Sequence, residues 1–503
     1  MAQFPLRRIL LGSLTVYLQP NDSCPDLESW LSLLPETMPV VWLDSARLHP
    51  ITGRWSILAY DPWLRLTAHD DAIELRTHND CIRWRGNPLE ALRRVLRRYS
   101  KTSTDVPAPL HTIGLLGYFS YELNGWIEDG LRRGRFSKDA SIPDMMWWAM
   151  RQMVVIDHWQ KRSWLVSVVD PNLPFAAARR QALEAMTQAQ EYLTVCSTQG
   201  SESKNHPDAV VESQSTPVAI EPMMTQAEFE SMVKQALEFI RAGEIFQANV
   251  SQRFSASWSG KAGDLYGALR RINPSPFCCF LSCEDLKVVS CSPERLVRVC
   301  ERRVSTRPIA GTRSRGLSPE ADAIQSLELL ISEKERAEHI MLVDLARNDL
   351  ARVCDVGTVA VDDLMGLEEY SHVIHIVSNV GGRLRQGVDA VDVVRAVFPG
   401  GTITGCPKVR CMQILQDLEP VPRGLYTGSL GYLGFTGAMD LNIAIRTMVI
   451  PGTQLSFHVG SGIVADSDPT REYQETLAKA GALVEALRRE ANAREIITDA
   501  KSG

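Results

Sequence analysis

Apolar and polar residues alternate in short segments through most of the chain, and longer segments with helical spacing lie between them. In the first half, the alternating segments include VVWLDSA (40–46), RWSILAY (54–60), IGLLGYFSYEL (113–123) and MVVIDHW (153–159), whereas PLEALRRVLRRYS (88–100) repeats with the period of a helix. The second half predicts helices at 225–242, 318–349 and 389–397, and strands at 246–254, 277–283, 287–291, 428–434, 441–449 and 455–459. Paired strands mixed with long helices favour an α+β fold with antiparallel sheets over a doubly wound parallel sheet.

The segment 196–222 interrupts this pattern. It is rich in Ser, Gln, Pro and charged residues and has no sustained periodicity, which is typical of a linker or a surface excursion. We therefore predict an N-terminal domain over 1–195, a linker over 196–222, a catalytic domain over 223–492 and a C-terminal tail over 493–503.

Composition narrows the classes of function. The chain has 503 residues and a formal charge of −6, so its charge gives no indication of nucleic-acid binding. No apolar run approaches the ~20 residues that a membrane helix needs, and the N-terminus lacks a convincing signal peptide, so a cytoplasmic location is expected. The eleven cysteines include a cluster at Cys278, Cys279, Cys283 and Cys291 among apolar residues. Buried reduced thiols explain this cluster better than zinc, because the ligand spacing of a zinc site is missing.

Two Glu-x-x-Glu pairs lie more than a hundred residues apart, Glu335 with Glu338 and Glu472 with Glu475. A separation of three residues places both carboxylates of a pair on one face of a helix. Such faces are usually solvated, with Lys or Arg neighbours. If the two faces met, however, four carboxylates would form a site for a hard divalent cation, and Mg²⁺ is the obvious ion.

An ordered series of motifs accompanies the two pairs. The series is GEIFQANVSQRF (243–254), INPSPF (272–277), SCSPERLV (290–297), STRPIAGTRSRG (305–316), YSHVIHIVSNVGG (370–382), FPGGTITGCPKVRCMQIL (398–415), GLYTGSLGYL (424–433) and MDLNIAIRTMVI (439–450). This series closely resembles the chorismate-utilising enzymes, and within them the large subunits of the aminodeoxychorismate and anthranilate synthases. LDSARLHPITGRWSILAYDP (43–62) extends the resemblance into the N-terminal half.

The resemblance implies a fold and a metal site. The fold is a four-layer α/β/β/α sandwich of two packed, mainly antiparallel sheets with helices outside and the active site in the cleft. The metal is Mg²⁺, with Glu338 and Glu475 as direct ligands and Glu335 and Glu472 acting partly through water. Because chorismate is a dianion, the metal would hold its ring carboxylate and withdraw electron density from the ring.

The resemblance also implies how the rest of the substrate is bound. Arg446 would bind the enolpyruvyl carboxylate with Tyr426 beside it, the Gly462 backbone would approach closely, and Lys479 would face the same site. Without the resemblance, an Arg at the end of an apolar strand often only reaches solvent, and a strand Tyr is more often part of the core.

Four further residues carry the predicted chemistry. Glu294 matches the general acid that protonates the departing ring hydroxyl, and His375 and Thr402 match positions that contact the ring and its hydroxyl. His372 is expected to be more peripheral. Isochorismate and salicylate synthases have a lysine base where this chain has Gln247. A neutral amide cannot deprotonate water but can hydrogen-bond ammonia, so an amine product is predicted. The chain shows no glutaminase motif, which implies a separate glutamine amidotransferase subunit as the ammonia source.

The motifs divide over the product. Gly400-Gly401 and Asp44-Ser45 are more typical of the aminodeoxychorismate enzymes, which we favour. Many of those enzymes, however, have a nucleophilic lysine where this chain has Ala310. Alanine cannot attack the ring, so direct attack of ammonia at ring carbon 2 becomes the simplest chemistry, and this leads to anthranilate.

The N-terminal motif implies a small-molecule pocket between the domains. Its expected lining is Ser45 with Pro274, Ser275 and Pro276, and in relatives it holds tryptophan. Asp44, in place of the usual Glu, argues against regulation by tryptophan. An inactive, ligand-sensing paralogue is the non-enzyme alternative, and it would lack an acid, metal or carboxylate-binding residue. An isochorismate synthase is disfavoured by Gln247.

Overall fold

The structure is a computed structural model that describes residues 6–49, 51–100, 107–131, 142–199, 219–284, 286–315, 318–369 and 373–502. The elements of its first half are β1 (Arg7–Leu11), β2 (Leu14–Asn21), α1 (Leu27–Leu33), β3 (Val40–Asp44), β4 (Trp55–His69), β5 (Ala72–Thr77), β6 (Cys81–Arg85), α2 (Pro88–Tyr99), β7 (Gly114–Phe119), β8 (Met145–Asp157), β9 (Arg162–Val168) and α3 (Phe175–Gln199).

The second half continues with strands and seven helices among the described residues. They are β10 (Glu221–Pro222), α4 (Gln226–Arg241), β11 (Gln247–Ser257), α5 (Ala262–Ile272), β12 (Phe277–Cys283), β13 (Leu286–Ser292), β14 (Arg295–Cys300), β15 (Arg303–Thr306), β16 (Ile309–Ser314), α6 (Pro319–Ile331), α7 (Glu333–Ala351), β17 (Ala360–Glu369), β18 (Val373–Arg383), α8 (Ala390–Val397), β19 (Gly405–Cys406), α9 (Lys408–Leu418), β20 (Ser429–Gly434), β21 (Met439–Asn442), β22 (Thr447–Pro451), β23 (Gln454–Ile463) and α10 (Pro469–Ser502).

Side-chain caps explain where several helices begin. Asn87 accepts hydrogen bonds from the first backbone N–H groups of α2, and Thr225 forms a reciprocal capping box with Glu228 at the start of α4. Asp389 and Asp392 do the same for α8. Each cap satisfies donors that a helix cannot satisfy itself and contributes about 1 kcal/mol.

Two predicted elements are divided in the structure. The helix predicted over 318–349 is two helices, because Ser332 has an extended backbone and its side chain accepts a hydrogen bond from Glu335 N to cap α7. The strand predicted over 441–449 is β21 and β22. It breaks because the chain leaves the ladder between them, where Ile443 N donates to Glu294 O and Arg446 has a left-handed backbone, φ +50°.

Every strand pairing in the described part of the chain is antiparallel. The sheet passes between the two halves of the sequence, because β3 pairs with β12 and β7 pairs with β20. The predicted two-domain division remains a prediction, although the halves share these ladders. Within the predicted linker, α3 continues to Gln199, residues 200–218 lie outside the described part, and β10 follows. The predicted tail continues α10 as helix as far as Ser502.

The core lies between the strands and two groups of helices. One apolar cluster joins strands of both halves to α2, α7 and α8, and a second packs α1, α3, α5 and α10 against strands such as β12 and β23. All thirteen residues of β8 are buried, which explains its almost continuous apolar sequence. The predicted α+β fold of antiparallel sheets with helices outside is confirmed.

The cysteines and the membrane prediction can be compared directly with the structure. All eleven cysteines are free thiols, and Cys278, Cys279, Cys283 and Cys291 are buried, as predicted. No described helix combines the length and the apolar character needed to cross a membrane.

Candidate active site

The pairing of β11 with β23 brings Gln247 beside Gly462. Asn249 lies opposite Gly462 in the ladder, and Gln247 lies opposite Cys406 of β19. A Cβ on Gly462 would lie 2.8 Å from Gln247 Nε2, so any larger residue would displace the amide. Glycine is therefore needed where the two strands meet.

The Gln247 side chain is buried and fixed at one end. Its Nε2 donates to Glu338 Oε1 over 2.9 Å, which links β11 to α7. Because a carboxylate can only accept a hydrogen bond, the amide nitrogen of Gln247, and not its oxygen, must face Glu338. Gln247 Oε1 has no hydrogen-bond partner among the described residues. The site therefore holds a buried acceptor that can take a hydrogen bond from a small donor.

The acidic side chains influence one another. Burial raises the pKa of Glu338, the hydrogen bond from Gln247 opposes this, and the charges of Glu335 and Glu475 raise the pKa further. Glu335 Oε2 lies against Gly311, where a Cβ would be 3.0 Å away and the backbone φ is +66°. Three of the four predicted ligands thus share one electrostatic environment.

Other contacts hold two of the carboxylates. Glu472 accepts a hydrogen bond from Ser461 Oγ, and Glu475 lies 2.7 Å from Lys479 Nζ. No group of three His, Cys, Asp or Glu side chains in the described residues is placed to hold a metal ion. The donor set itself fits Mg²⁺, because it consists of carboxylate oxygens whose mutual repulsion a cation would relieve. The metal remains a prediction.

Glu294 and Thr402 form the predicted acid and its partner. Thr402 Oγ1 donates to Glu294 Oε1 over 2.8 Å. Burial raises the pKa of Glu294 to about 7, and the hydrogen bonds from Thr402 and from the Ile309 backbone oppose the rise only partly. A substantial share of Glu294 therefore carries a proton at neutral pH, as a general acid requires.

His375 lies in β18 opposite β16. Burial lowers its pKa to about 4; a hydrogen bond to the Gly311 backbone raises it, and the charges of Arg446 and Arg47 lower it further. Its Nδ1 is 3.2 Å from Gly311 O, which can only accept, so Nδ1 carries the proton. The neutral ring is therefore a hydrogen-bonding group and a weak base. Ala310 is buried in β16 and pairs with Ile376, the residue that follows His375.

Two of the predicted substrate-binding residues, Lys479 and Tyr426, meet at Gly460, which sequence reasoning missed. Lys479 Nζ donates to Gly460 O over 3.0 Å, and a Cβ on Gly460 would lie 2.6 Å from the Tyr426 hydroxyl. Tyr426 is buried and stacks on His458, with ring centroids 5.4 Å apart. Gly460 and Gly462 are two residues apart and therefore lie on one face of β23. This spacing was the sequence feature that could have indicated Gly460.

Asn273 is a second missed residue. Its Oδ1 accepts a hydrogen bond from Arg446 Nη1 over 2.9 Å, and its Nδ2 donates to Cys291 O over 3.3 Å. It thus orients the half-buried Arg446 guanidinium. INPSPF was interpreted only as lining for an effector pocket, and nothing in its sequence indicates this contact.

The predicted effector segments do lie together. Ser45 Oγ donates to Trp55 O over 2.7 Å and approaches Pro276 O at 3.5 Å, and Arg47 N donates to Ser275 O over 3.2 Å. Pro274 is half-buried on the same segment. A small-molecule pocket at this place remains a prediction.

Asp44, the residue before Ser45, accepts hydrogen bonds at both of its carboxylate oxygens. Ser56 Oγ donates to one of its oxygens over 2.8 Å, and Tyr266 OH and Arg270 Nε donate to the other over 3.1 and 2.5 Å. The carboxylate therefore already has charged and neutral donors, and a ligand ammonium would have to displace them.

Comparison with known proteins identifies the family. A family model described as chorismate binding enzyme matches residues 45–485. The chain belongs to the chorismate-binding enzymes. The predicted family resemblance is confirmed, and so is the expectation of a chorismate-utilising enzyme.

Its relatives include both predicted branches. Aminodeoxychorismate synthase component 1 of Bacillus subtilis is 38% identical over 447 residues, which is 89% of this chain and 91% of that protein. Anthranilate synthase component 1 of Aquifex aeolicus is 52% identical over 263 residues, 52% and 53% of the two chains. The crystal structure of anthranilate synthase component I from Streptococcus pneumoniae TIGR4 superposes with a TM-score of 0.72 at 32% identity, covering 87% of this chain and 94% of that one.

The acid assignment predicts an alkaline limb in the pH profile. Because Glu294 must hold a proton to donate it, kcat is expected to fall as the pH rises through about 7. Glu294→Gln should lower kcat by about 10²–10⁴-fold. Thr402→Val removes a hydrogen bond that favours the charged form, so its alkaline midpoint should move to higher pH.

Thr402→Ser is the matched control, because it keeps the hydroxyl. Steady-state rates measured from pH 5.5 to pH 9 on the three variants, in buffers of constant ionic strength, check this. A Thr402→Val midpoint that moves down or stays in place would contradict the assigned acid.

Proposed function

We propose that this protein aminates chorismate with ammonia from a separate glutamine amidotransferase and forms 4-amino-4-deoxychorismate. The observation that carries the proposal is the buried Gln247 amide. Its nitrogen donates to Glu338, and its carbonyl oxygen has no partner in the described part of the chain. Such an oxygen can bind an N–H of ammonia but cannot remove a proton from water.

The surrounding groups support ammonia over water. A water nucleophile needs a base near its working pH, and the only imidazole assigned to this site, His375, has a pKa of about 4. Neutral ammonia is a much stronger nucleophile than neutral water and needs no base to attack. A hydrogen bond to Gln247 Oε1 would orient it.

Protonation of the leaving group completes the step. As the C–N bond forms, the C–O bond of the ring hydroxyl breaks, and Glu294 gives that oxygen a proton so that water leaves. The nitrogen, positively charged after attack, then loses a proton to solvent, from which Glu294 regains its own, and the net change is replacement of hydroxyl by amine with release of water. Thr402, bonded to Glu294, would keep the acid in place.

The two substrate carboxylates would be held by different groups, one by cationic side chains and one by the metal. Arg446, oriented by Asn273, and Lys479, beside Gly460 and Tyr426, offer cationic donors for one of them. Mg²⁺ would be held by Glu338 and Glu475, with Glu335 and Glu472 in support through water. When bound it would supply positive charge for the other carboxylate.

Two segments favour the aminodeoxychorismate branch. Gly400 and Gly401 pack where a Cβ would lie 2.8 Å from Ile443 and 2.2 Å from Leu345, next to the Thr402 turn. Asp44 is occupied by Ser56, Tyr266 and Arg270, which argues against a tryptophan switch.

Ala310 favours a second candidate, anthranilate synthase. Its buried methyl group supplies no nucleophile for ring carbon 2. Ammonia could then attack that carbon directly, and loss of pyruvate would give anthranilate.

A product assay distinguishes the two. Purified protein with chorismate, Mg²⁺ and ammonium salt should form an amine that becomes 4-aminobenzoate only when a lyase is added, as followed by mass spectrometry. Immediate anthranilate fluorescence would instead establish the second candidate.

Exchange of one side chain tests the nucleophile. Gln247→Lys should lower the ammonia-dependent rate by about 10²-fold or more and add a hydroxylated product, because an amine can activate water. Gln247→Leu, which has neither a base nor a hydrogen-bonding group, should lose amination without gaining hydroxylation. If Gln247→Leu aminated as fast as the parent protein, the amide would have no role in binding ammonia.

Removal of single carboxylates tests the metal. Glu338→Gln and Glu475→Gln should each weaken Mg²⁺ binding by at least about tenfold in calorimetry. Glu485→Gln, on the exposed part of the same helix as Glu475 and paired with Arg489, should leave the affinity unchanged. Equal affinities in all three variants would place the metal elsewhere.

The engaged Asp44 predicts indifference to tryptophan. Tryptophan at millimolar concentration should neither inhibit the amination nor raise the melting temperature, because Arg270 and Tyr266 already bind the carboxylate that a ligand ammonium would need. Inhibition curves together with thermal shifts check this. Strong inhibition would move the assignment to the anthranilate branch.

A further inference from the structure

A fully buried ion pair lies behind the site. α9 is followed by Glu419, and four residues later comes Arg423, which is 2% exposed. Arg423 Nε and Nη2 donate to the two oxygens of Glu419 over 2.8 and 2.7 Å. The guanidinium centre lies 4.8 Å from the Tyr121 ring centroid and 5.7 Å from that of Tyr426.

The remaining guanidinium donors reach three separate segments. Nη1 donates to Ile403 O over 3.0 Å and to Thr427 Oγ1 over 3.2 Å, and Nη2 donates to Asn249 O over 2.5 Å. With the two bonds to Glu419, all five N–H groups of the side chain are used. Lysine has three donors on a single nitrogen and cannot reproduce this set.

Each acceptor adjoins a residue of the proposed site. Ile403 follows Thr402, which holds Glu294. Asn249 lies two residues after Gln247 and opposite Gly462. Thr427 follows Tyr426 and has a left-handed backbone, φ +60°. One cation thus connects the acid side, the amide side and the carboxylate side of the site.

Glu419 fixes the same strand at a second point. Its Oε1 accepts from Ser251 N over 2.9 Å and from Ser251 Oγ over 2.8 Å. β11 is therefore held at Asn249 O by the cation and at Ser251 by the anion. A buried ion pair by itself is weak evidence for added stability, since well-packed apolar residues often replace one without loss. Because its hydrogen-bond acceptors adjoin residues of the proposed site, the pair is better placed to align those residues with one another.

We propose that Arg423, held by Glu419, is a positioning residue that sets the distance between Gln247 and the Thr402–Glu294 pair. The proposal rests on the proposed roles of these residues in amination. Attack by the ammonia bound to Gln247 and proton donation by Glu294 require both side chains to be in place at the same time. A misplacement of either by about 1 Å can lower the rate about 10²-fold.

Arg423→Lys in the full-length protein tests this against a matched variant. Arg151 is also a buried arginine that binds two carboxylates and a backbone carbonyl, but its partners Asp61, Asp170 and Pro62 lie in the N-terminal half. Arg151→Lys therefore measures the general effect of losing a buried guanidinium. We expect Arg423→Lys to lower kcat about 10²-fold with little change in the KM for chorismate, and Arg151→Lys to leave both nearly unchanged.

A titration of the Glu294 carboxyl group without chorismate tests the positioning role independently of the proposed function. Infrared difference titration, with Glu294→Gln as the reference, should show the Glu294 carboxyl titrating at higher pH in Arg423→Lys, because the Thr402 hydrogen bond weakens. Arg151→Lys should titrate like the parent protein. This result would support the proposal even if chorismate were not aminated.

Thr427→Val is the milder variant if Arg423→Lys does not fold. It removes one acceptor of the guanidinium and should move kcat and the titration in the same directions by smaller amounts. Equal kcat losses in Arg423→Lys and Arg151→Lys, with an unmoved Glu294 titration, would overturn the proposal and leave the pair a structural feature only.

Discussion

The antiparallel register between β11 and β23 is the constraint on which the site depends. Ten residue pairs, from Ala248 with Ile463 to Ser257 with Gln454, align two segments that are some two hundred positions apart in sequence. Side chains alternate between the faces of a strand, so a slip of one residue would turn Gln247 away from Glu338 and place a side chain where Gly462 must be. The same register sets where α10 begins and hence where its two carboxylates lie. Pairing of β11 with β19 adds the turn that carries Thr402.

A second constraint is that the ionisable groups of the site are buried. Burial raises the pKa of Glu294 and of Glu338 and lowers that of His375, so each group is moved toward its neutral form. For Glu294 this retains a proton for donation. For His375 it leaves a hydrogen-bonding ring with little basicity. For Glu338 it means that a nearby cation would stabilise the ionised carboxylate, so burial would serve both the proposed acid and the proposed metal ligand.

Local sequence was enough for much of the fold, and the family resemblance supplied many of the candidate residues, whose roles remain predictions. Strand periodicity and ordered motifs indicated the antiparallel α+β fold, the Glu pairs and the Glu294, Thr402 and Gln247 positions. The break at Ser332 was missed because a serine cap inside a helical pattern is visible only when the backbone turns. Arg423 and Asn273 were missed for another reason. Their partners are distant in sequence, and a charged or amide residue in an ordinary pattern gives no sign that it will be buried.

The scaffold and the side chain at position 247 have separable effects. The backbone, the acidic pairs and the cationic residues would bind a dianionic ring whatever attacks it, and none of them chooses between water and ammonia. That choice depends on whether the side chain next to the ring can act as a base. Since Gln247 is not a base, and His375 is too weak a base at neutral pH, these side chains suit the proposed nucleophile, ammonia, which attacks in its neutral form. In the proposed reaction, the amide is therefore the residue that suits a general chorismate-binding site to ammonia.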